Sequence, residues 1–548
     1  MTNLNLKELF KEISNSFLGW KKFLNLRKTR KKTSIMLYPI GIQSFEKIRK
    51  DGYFYVDKTN LVYKLANSGQ YYFLSRPRRF GKSLLLSTME AYFQGRKELF
   101  EGLEIAALER DWTEHPVLHF DFGGKSYSSQ DAVDDILNLH LSALEHRYGI
   151  APQSDAPDSR FKDIIDKAYA KTGRRVVILI DEYDKPIIDN IGRPELRERF
   201  RETLQGFYSV MKSKDAFIRF GFLTGGTKIG KMSVFSGLNN LRDISMDSEY
   251  ADICGVSERD LTGYFSESVL ELARLNGLSE EDCYRKLALM YDGYHFSEDS
   301  GGIYNPFSLL NTFASMKFRE YWFETGTPSF LVEVMRRTSY DITRLSDQEA
   351  DTSLLSDIDS AFLNPVPLLY QSGYLTIRGY DPDFQIYHLG FPNLEVRHGF
   401  LNYLMRFYAP VENDTPMTLI SRMTRDVRAG RPEDLMTRLD ALFARTSYQI
   451  QADCEKDFQY AMYIILELMG EYVEVERSTS DGRIDALVQT GDFIYIIEIK
   501  TDSSPEEALA QIQEKGYARP FADAPRRLFR IGVNFSTSSR RIDGWKVV

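Results

Sequence analysis

Phe73-Leu-Ser-Arg-Pro-Arg-Arg-Phe-Gly-Lys-Ser83 is the stretch whose reading decides the fold. Tyr71 to Leu74 is a short apolar run of the kind that forms a buried strand. A turn follows, then Gly81-Lys82-Ser83, then an apolar helical pattern through Leu86 and Met89 to Phe93. Strand, loop and helix in that order suit a nucleoside triphosphate, ATP or GTP. Backbone N–H groups of Arg79, Phe80 and Gly81 at the helix start point at phosphates. Lys82 neutralises the β and γ charges, and the Ser83 hydroxyl holds Mg²⁺. The general pattern has glycine six residues before the lysine, where this chain has Arg76. That glycine mainly serves the turn, so its replacement leaves the phosphate-binding groups in place.

Arg175-Val-Val-Ile-Leu-Ile-Asp-Glu182 supplies the second half of such a site. Unbroken apolar character suits a parallel strand buried on both faces. Its last residues arrive at the carboxyl edge of the sheet, where ligands bind. Asp181 is then placed to reach Mg²⁺ through water, and Glu182 to orient or deprotonate the attacking water. His115-Pro-Val-Leu-His-Phe-Asp-Phe122 and Ala216-Phe-Ile-Arg-Phe-Gly-Phe-Leu-Thr224 read as further strands. Helical patterns occupy roughly 128–148 and 158–172, and Pro194 opens a helix to Lys212. Thr224 ends its strand as either a γ-phosphate sensor or a turn residue. Gln43 and Tyr55, just ahead of the loop, are candidates to lie over the base, with packing the alternative for Tyr55.

At 548 residues the chain is too long for one core. A hydrophobic share of 43% makes it globular rather than disordered. The net charge of −8 argues against a surface coated by nucleic acid, while leaving room for local basic patches. Three scattered cysteines, Cys254, Cys283 and Cys454, show neither metal nor disulfide spacing and fit a reducing cytoplasm. No apolar run approaches the ~20 residues of a membrane span. Residues 1–35 stand apart: a helical pattern from Leu4 to Leu26 precedes a basic run, Arg27 to Lys32, and reads as a surface helix.

Tyr55-Val-Asp-Lys-Thr59, Arg76-Pro-Arg-Arg-Phe-Gly-Lys-Ser83, Asp181-Glu-Tyr-Asp-Lys-Pro186 and Phe235-Ser-Gly-Leu-Asn-Asn-Leu241 resemble the bacterial AAA-ATPase-like family. The resemblance runs from about Met36 to the C-terminus, and Arg76 in place of glycine is typical of that family. It implies an α/β P-loop ATPase joined to a C-terminal PD-(D/E)XK nuclease-type domain. The expected order is an extension (1–35), the ATPase (36–245), a mainly helical lid and linker (246–445) and the nuclease-like domain (446–548). Within the lid, Tyr294 and His295 could touch nucleotide or nucleic acid, but aromatic packing is the favoured role.

Near the C-terminus, Arg483-Ile-Asp-Ala-Leu-Val-Gln489 and Phe493-Ile-Tyr-Ile-Ile-Glu-Ile-Lys500 are two β-rich runs around Thr490-Gly-Asp492. With Gly491-Asp492 as a two-residue loop, counting back sets Asp485 opposite Glu498 on one face, and period two adds Lys500. Two facing carboxylates repel unless a cation sits between them; Mg²⁺ suits carboxylate oxygens. Lys500 can then orient a water for attack on a phosphodiester. This set is similar to the PD-(D/E)XK active site. Glu455, at the start of the preceding helix, matches an acidic residue that the family often carries there, which adds it to the metal ligands. Gln511 and Lys515, four apart on a helix from Pro505 to Tyr517, resemble the supporting glutamine helix.

Together these readings give a cytoplasmic ATPase, with ATP and Mg²⁺ as cofactors, coupled to a Mg²⁺-dependent nuclease acting on nucleic acid, DNA before RNA, with no membrane partner. A homo-oligomer is compatible, because an arginine finger often comes from a neighbouring subunit. The alternatives are a regulatory NTPase switch whose nuclease-like domain binds nucleic acid or a protein partner without cleaving, and a signalling ATPase with no nucleic-acid partner.

Overall fold

The computed structural model describes residues 36–548 apart from the segments 229–233, 236–237, 239, 324–328, 346–347, 357–363, 409–415, 447–453, 471–473, 477–484 and 540. The expected N-terminal helix and basic run therefore lie outside the described residues, as do Arg483 and part of the Phe235–Leu241 motif.

Five parallel strands form the first sheet: β1 (Tyr71–Ser75), β2 (Val117–Asp121), β3 (Val176–Asp181), β4 (Ile218–Gly225) and β5 (Arg242–Asp243). Their order is β2-β3-β4-β1-β5, so β4 is inserted between the loop strand and the Asp181 strand. All five residues of β1 and all six of β3 are buried. Helices on both faces explain why such apolar runs do not alternate. Each buried Val, Leu or Ile contributes roughly 1.5–3 kcal/mol relative to exposure. The packing helices include α1 (Lys82–Phe93), α2 (Ala132–Tyr148), α3 (Pro157–Thr172) and α4 (Pro194–Ser213). Pro157 and Pro194 stand in the first turns of α3 and α4, where the missing N–H costs nothing.

Helices predominate in the middle region, among them α5 (Leu394–Tyr408). A two-stranded pair, β6 (Val256–Ser257) and β7 (Ile303–Tyr304), braces this region. It also carries an antiparallel sheet that a helical reading does not anticipate: β8 (Gln348–Asp351), β9 (Thr376–Asp381) and β10 (Ile386–Gly390), ordered β8-β10-β9. The cause is local. Thr376, Ile377, Tyr380, Ile386 and Tyr387 are β-branched or aromatic, and Asp381 caps the turn by accepting from Asp383 N and Phe384 N.

The C-terminal part is a mixed five-stranded sheet: β11 (Glu474–Glu476), β12 (Ala486–Gln489), β13 (Phe493–Thr501), β14 (Arg527–Ser536) and β15 (Arg541–Val547). β13 and β14 run parallel, and the other neighbours antiparallel. Helix α6 (Cys454–Met469) precedes the sheet, and α7 (Pro505–Glu514) makes the crossover that a parallel pair requires. One apolar cluster runs from β1 through α5 and α6 into β13 and β14, so the three parts share a continuous interior.

Candidate functional site

The loop between β1 and α1 turns through two left-handed residues, Arg79 (φ 68°) and Gly81 (φ 96°). Gly81 immediately precedes α1 and adopts this conformation without a steric penalty. The first residue of α1 is Lys82. Its side chain crosses back over the loop, and Nζ donates to the carbonyls of Arg76 (2.8 Å) and Pro77 (3.1 Å). Arg76 is buried. Its guanidinium donates to the carbonyls of Ser75 (2.9 Å), Ser245 (2.8 Å) and Tyr250 (3.1 Å), and lies 3.9 Å over the Phe296 ring. Burial pulls its pKa down to about 10, so it stays charged at neutral pH. The residue that departs from the general loop pattern is thus an anchor for the loop.

Parallel pairing brings the carboxyl ends of β3 and β4 to the same edge. There Thr224 Oγ1 donates to Asp181 Oδ1 at 2.6 Å, with both side chains buried. Glu182 follows with φ 51°, a left-handed conformation that is strained for a residue with a side chain. Burial raises its carboxyl above the usual range; Lys82 opposes the rise and Asp181 adds to it. Gly123 makes room for this carboxylate, since a Cβ there would stand 2.8 Å from Glu182 Oε2. Asp121, not singled out by the sequence reading, pairs in register with Asp181 and accepts from Gly123 N at 2.7 Å. Strand pairing, invisible in one sequence, is what brings it there.

A cleft of about 540 Å³ opens over the loop. Arg78, Arg79, Lys82 and Lys185 face it with Ser83, Gln43 and Glu182, while Phe307 and Leu310 close it from the middle region. Four cationic side chains against one carboxylate suit a polyanion. Arg79 lies 5.0 Å over Phe307. An apolar recess of about 110 Å³, lined by Pro39, Tyr55, Val56 and Leu310, adjoins the cleft at Gly81 and Leu84. Tyr294 is buried against Phe80 (ring centroids 4.8 Å apart), and His295 Nδ1 bonds Ser300 O. Both are taken up by packing of the middle region.

The second constellation is built on the β12–β13 hairpin. Thr490 N donates to Phe493 O at 2.8 Å, leaving Gly491 and Asp492 as the loop. Ala486 pairs with Ile497, a register that continues to set Asp485 opposite Glu498. Glu498 is only 2% exposed. Gln511 of α7 donates through Nε2 to Glu498 Oε1 and accepts from Lys500 Nζ through Oε1, so one amide bridges the two. Lys500 Nζ lies 3.8 Å from Glu498 Oε1. Asp485 Oδ2 accepts from Ile499 N at 2.8 Å. Gly532 pairs with Glu498 from β14; a Cβ there would lie 2.2 Å from Pro505 O and 2.9 Å from Leu509 Cγ. This bare position lets α7 rest on the strand and carry Gln511 into reach. Lys515 caps the end of α7.

Glu498 Oε2 is buried and accepts no hydrogen bond among the described residues. Burial first, and the Asp485 charge next, push the Glu498 carboxyl up to about 7, against the pull of Lys500 and Gln511. An orphaned carboxylate oxygen facing a second carboxylate is a fit for a hard cation. No group of three His, Cys, Asp or Glu able to hold a metal occurs among the described residues. Glu455 stands in the first turn of α6, but its side chain lies outside them.

These features define an α/β P-loop-type ATPase fold joined through a helical middle to a PD-(D/E)XK nuclease-like fold. Residues 39–235 match the AAA-ATPase-like family model, described as a predicted AAA-ATPase, and residues 453–545 match the PD-(D/E)XK nuclease superfamily. A protein of Azotobacter chroococcum mcd 1, named "Uncharacterized protein in vnfD 5'region", is 38% identical over 524 residues, 93% of this chain and 98% of its own length. The chain belongs to the AAA-ATPase-like family and carries a C-terminal PD-(D/E)XK nuclease superfamily domain. No helix among the described residues is long and apolar enough to cross a membrane.

Proposed function

We propose that the chain binds and hydrolyses ATP and couples this to Mg²⁺-dependent cleavage of nucleic acid, DNA in the first instance. The observation that carries the reading is the Glu498 cluster: an orphaned carboxylate, an opposed aspartate and a lysine bridged by Gln511 fit a metal-assisted phosphodiesterase. When bound, Mg²⁺ supplies charge neutralisation at the phosphates of both sites. Asp485 and Glu498 would hold it at the second site together with Glu455, and Ser83 with Asp181 at the first. Lys500 orients the attacking water, and Gln511 fixes Lys500 and Glu498 relative to each other. Lys82 exchanges its two loop carbonyls for phosphate oxygens, and Arg79 and the loop N–H groups complete the cradle. The apolar recess by Tyr55 takes the base. Glu182, held by burial at a raised pKa, accepts the proton of the water that attacks the γ-phosphorus. Thr224 fixes the Asp181 rotamer. Cytoplasmic localisation and the expected domain boundaries belong to this same reading.

The test is cleavage of single- and double-stranded substrates with Mg²⁺, with and without ATP. Cleavage is expected in the parent and lost in Lys500→Ala, and ATP binding is expected to be lost in Lys82→Ala. Salt-sensitive DNA binding without cleavage would instead favour a binding switch. ATP turnover without any nucleic-acid binding would leave only the first half standing.

A further inference from the structure

Two sites on one chain need a physical connection if one is to govern the other, and the middle region holds residues that touch both. The phosphate loop is gripped from outside its own strand and helix. Besides the Arg76 anchor, the Arg78 carbonyl accepts from the indole Nε1 of Trp322 at 3.1 Å across 244 residues of sequence. Trp322 is itself fastened to α5. Its backbone N–H donates to Glu395 Oε1 at 2.8 Å. The neighbouring Phe323 ring lies on Gly399, where a Cβ would come within 2.3 Å. His398 Nδ1, in the same turn, meets Glu320 at 3.1 Å.

The same helix faces the nuclease module through Arg397, two residues beyond Glu395. Arg397 donates through NH2 to Glu467 O (3.2 Å) and Glu467 Oε2 (2.5 Å), on α6, the helix that also carries Glu455. This ion pair is only partly exposed, so water screens it less than a surface pair. Within five residues of α5, therefore, one set of side chains holds the segment that clasps the phosphate loop and another holds a helix of the nuclease module. Helices packed in a continuous interior shift as units rather than deform.

We propose that α5 is the transmission element between the two sites, with Trp322 a positioning residue for the phosphate loop and Arg397–Glu467 the link that passes the loop's state to α6. The inference rests on the proposed nucleotide binding at Lys82. Phosphates that draw Lys82 away from the Arg76 and Pro77 carbonyls change the loop that Trp322 holds. Trp322, Glu395 and Gly399 carry this change to α5, and Arg397 carries it to α6.

The test is amide hydrogen exchange of the full chain with a non-hydrolysable ATP analogue and Mg²⁺, which needs no cleavage activity. In the parent, exchange in 454–469 is expected to change by about fivefold or more, the low end of site-to-site couplings. In Arg397→Gln, nucleotide affinity is expected to be unchanged and the response to stop at 394–408. The reversed pair, R397E with E467R, should restore it. Trp322→Phe keeps the ring but loses the donor; nucleotide affinity is expected to fall about three- to tenfold, the effect of one hydrogen bond, with the α6 response lost. A parent that binds nucleotide without any change in 454–469, or an Arg397→Gln variant that responds like the parent, overturns the inference while leaving the proposed function intact. Failure of the parent to bind nucleotide overturns both.

Discussion

Replacing Glu498 with glutamine should make the metal-free protein more stable while abolishing cleavage. The carboxyl sits at about 7 in the folded chain against an ordinary 4.5. That gap of 2.5 corresponds to ~3 kcal/mol at 1.36 kcal/mol for each step of ten in the proton affinity. Lys500 beside it is 31% exposed, so solvent reaches the edge of the cluster and an effect of about 1–3 kcal/mol is expected. The sign follows from proton linkage. Between pH 4.5 and 7 the folded state holds a proton that the unfolded state has released, so stability falls as pH rises through that window and stays low above it. Glutamine has no such charge. The advantage of the variant should be near zero below pH 4.5, grow to pH 7 and level off. Amide exchange of Ile494–Ile497 in chelator, corrected for intrinsic rates, measures it locally. Added Mg²⁺ should stabilise the parent and not the variant. A variant that is less stable than the parent at pH 8, or a difference that does not vary with pH, would refute the account of Glu498 as a carboxylate held against its own repulsion.

Glu182→Gln should retain ATP binding and lose turnover by about 10²–10⁴-fold, the usual size of a general-base contribution; unchanged kcat would place the base elsewhere. Thr224→Val removes one of the two donors to the buried Asp181 Oδ1, leaving only Glu182 N at 3.0 Å, a loss of about 1–3 kcal/mol. ATPase kcat should drop accordingly, and Thr224→Ser should recover most of it. Gly532→Ala forces a Cβ against Pro505 O and displaces α7, an overpacking cost of about 1–3 kcal/mol. Cleavage should fall about tenfold or more with far-ultraviolet circular dichroism unchanged, and full activity in that variant would show that Gln511 does not depend on this close approach.

The strands that carry the candidate site residues were legible because each is a local pattern with a local stop. Tyr71–Ser75 and Val176–Asp181 are apolar runs ended by turn residues, and the Thr490-Gly-Asp492 turn fixed the register of Asp485 against Glu498 by counting alone. Residues whose role comes from distant partners were not legible. Asp121 gains its place by pairing with β3, and Trp322 reaches Arg78 across 244 residues. The anchoring role of Arg76 was hidden as well, since the Ser245 and Tyr250 carbonyls it holds lie about 170 residues on. The β8-β10-β9 sheet had a readable signal in Thr376–Asp381 and Ile386–Gly390, masked by the helices on either side.

The Arg76 anchor makes the β1–α1 loop non-portable. A strand, loop and helix transplanted into another P-loop scaffold would bury a cation stripped of the carbonyls of Ser245 and Tyr250 and of the Phe296 ring. Glycine at position 76 would remove one of the loop's ties to the rest of the chain and leave the Trp322 and Phe80 contacts to hold it. Chimeras should therefore exchange residues 71–93 together with the segments around 245–250 and 296, or not at all.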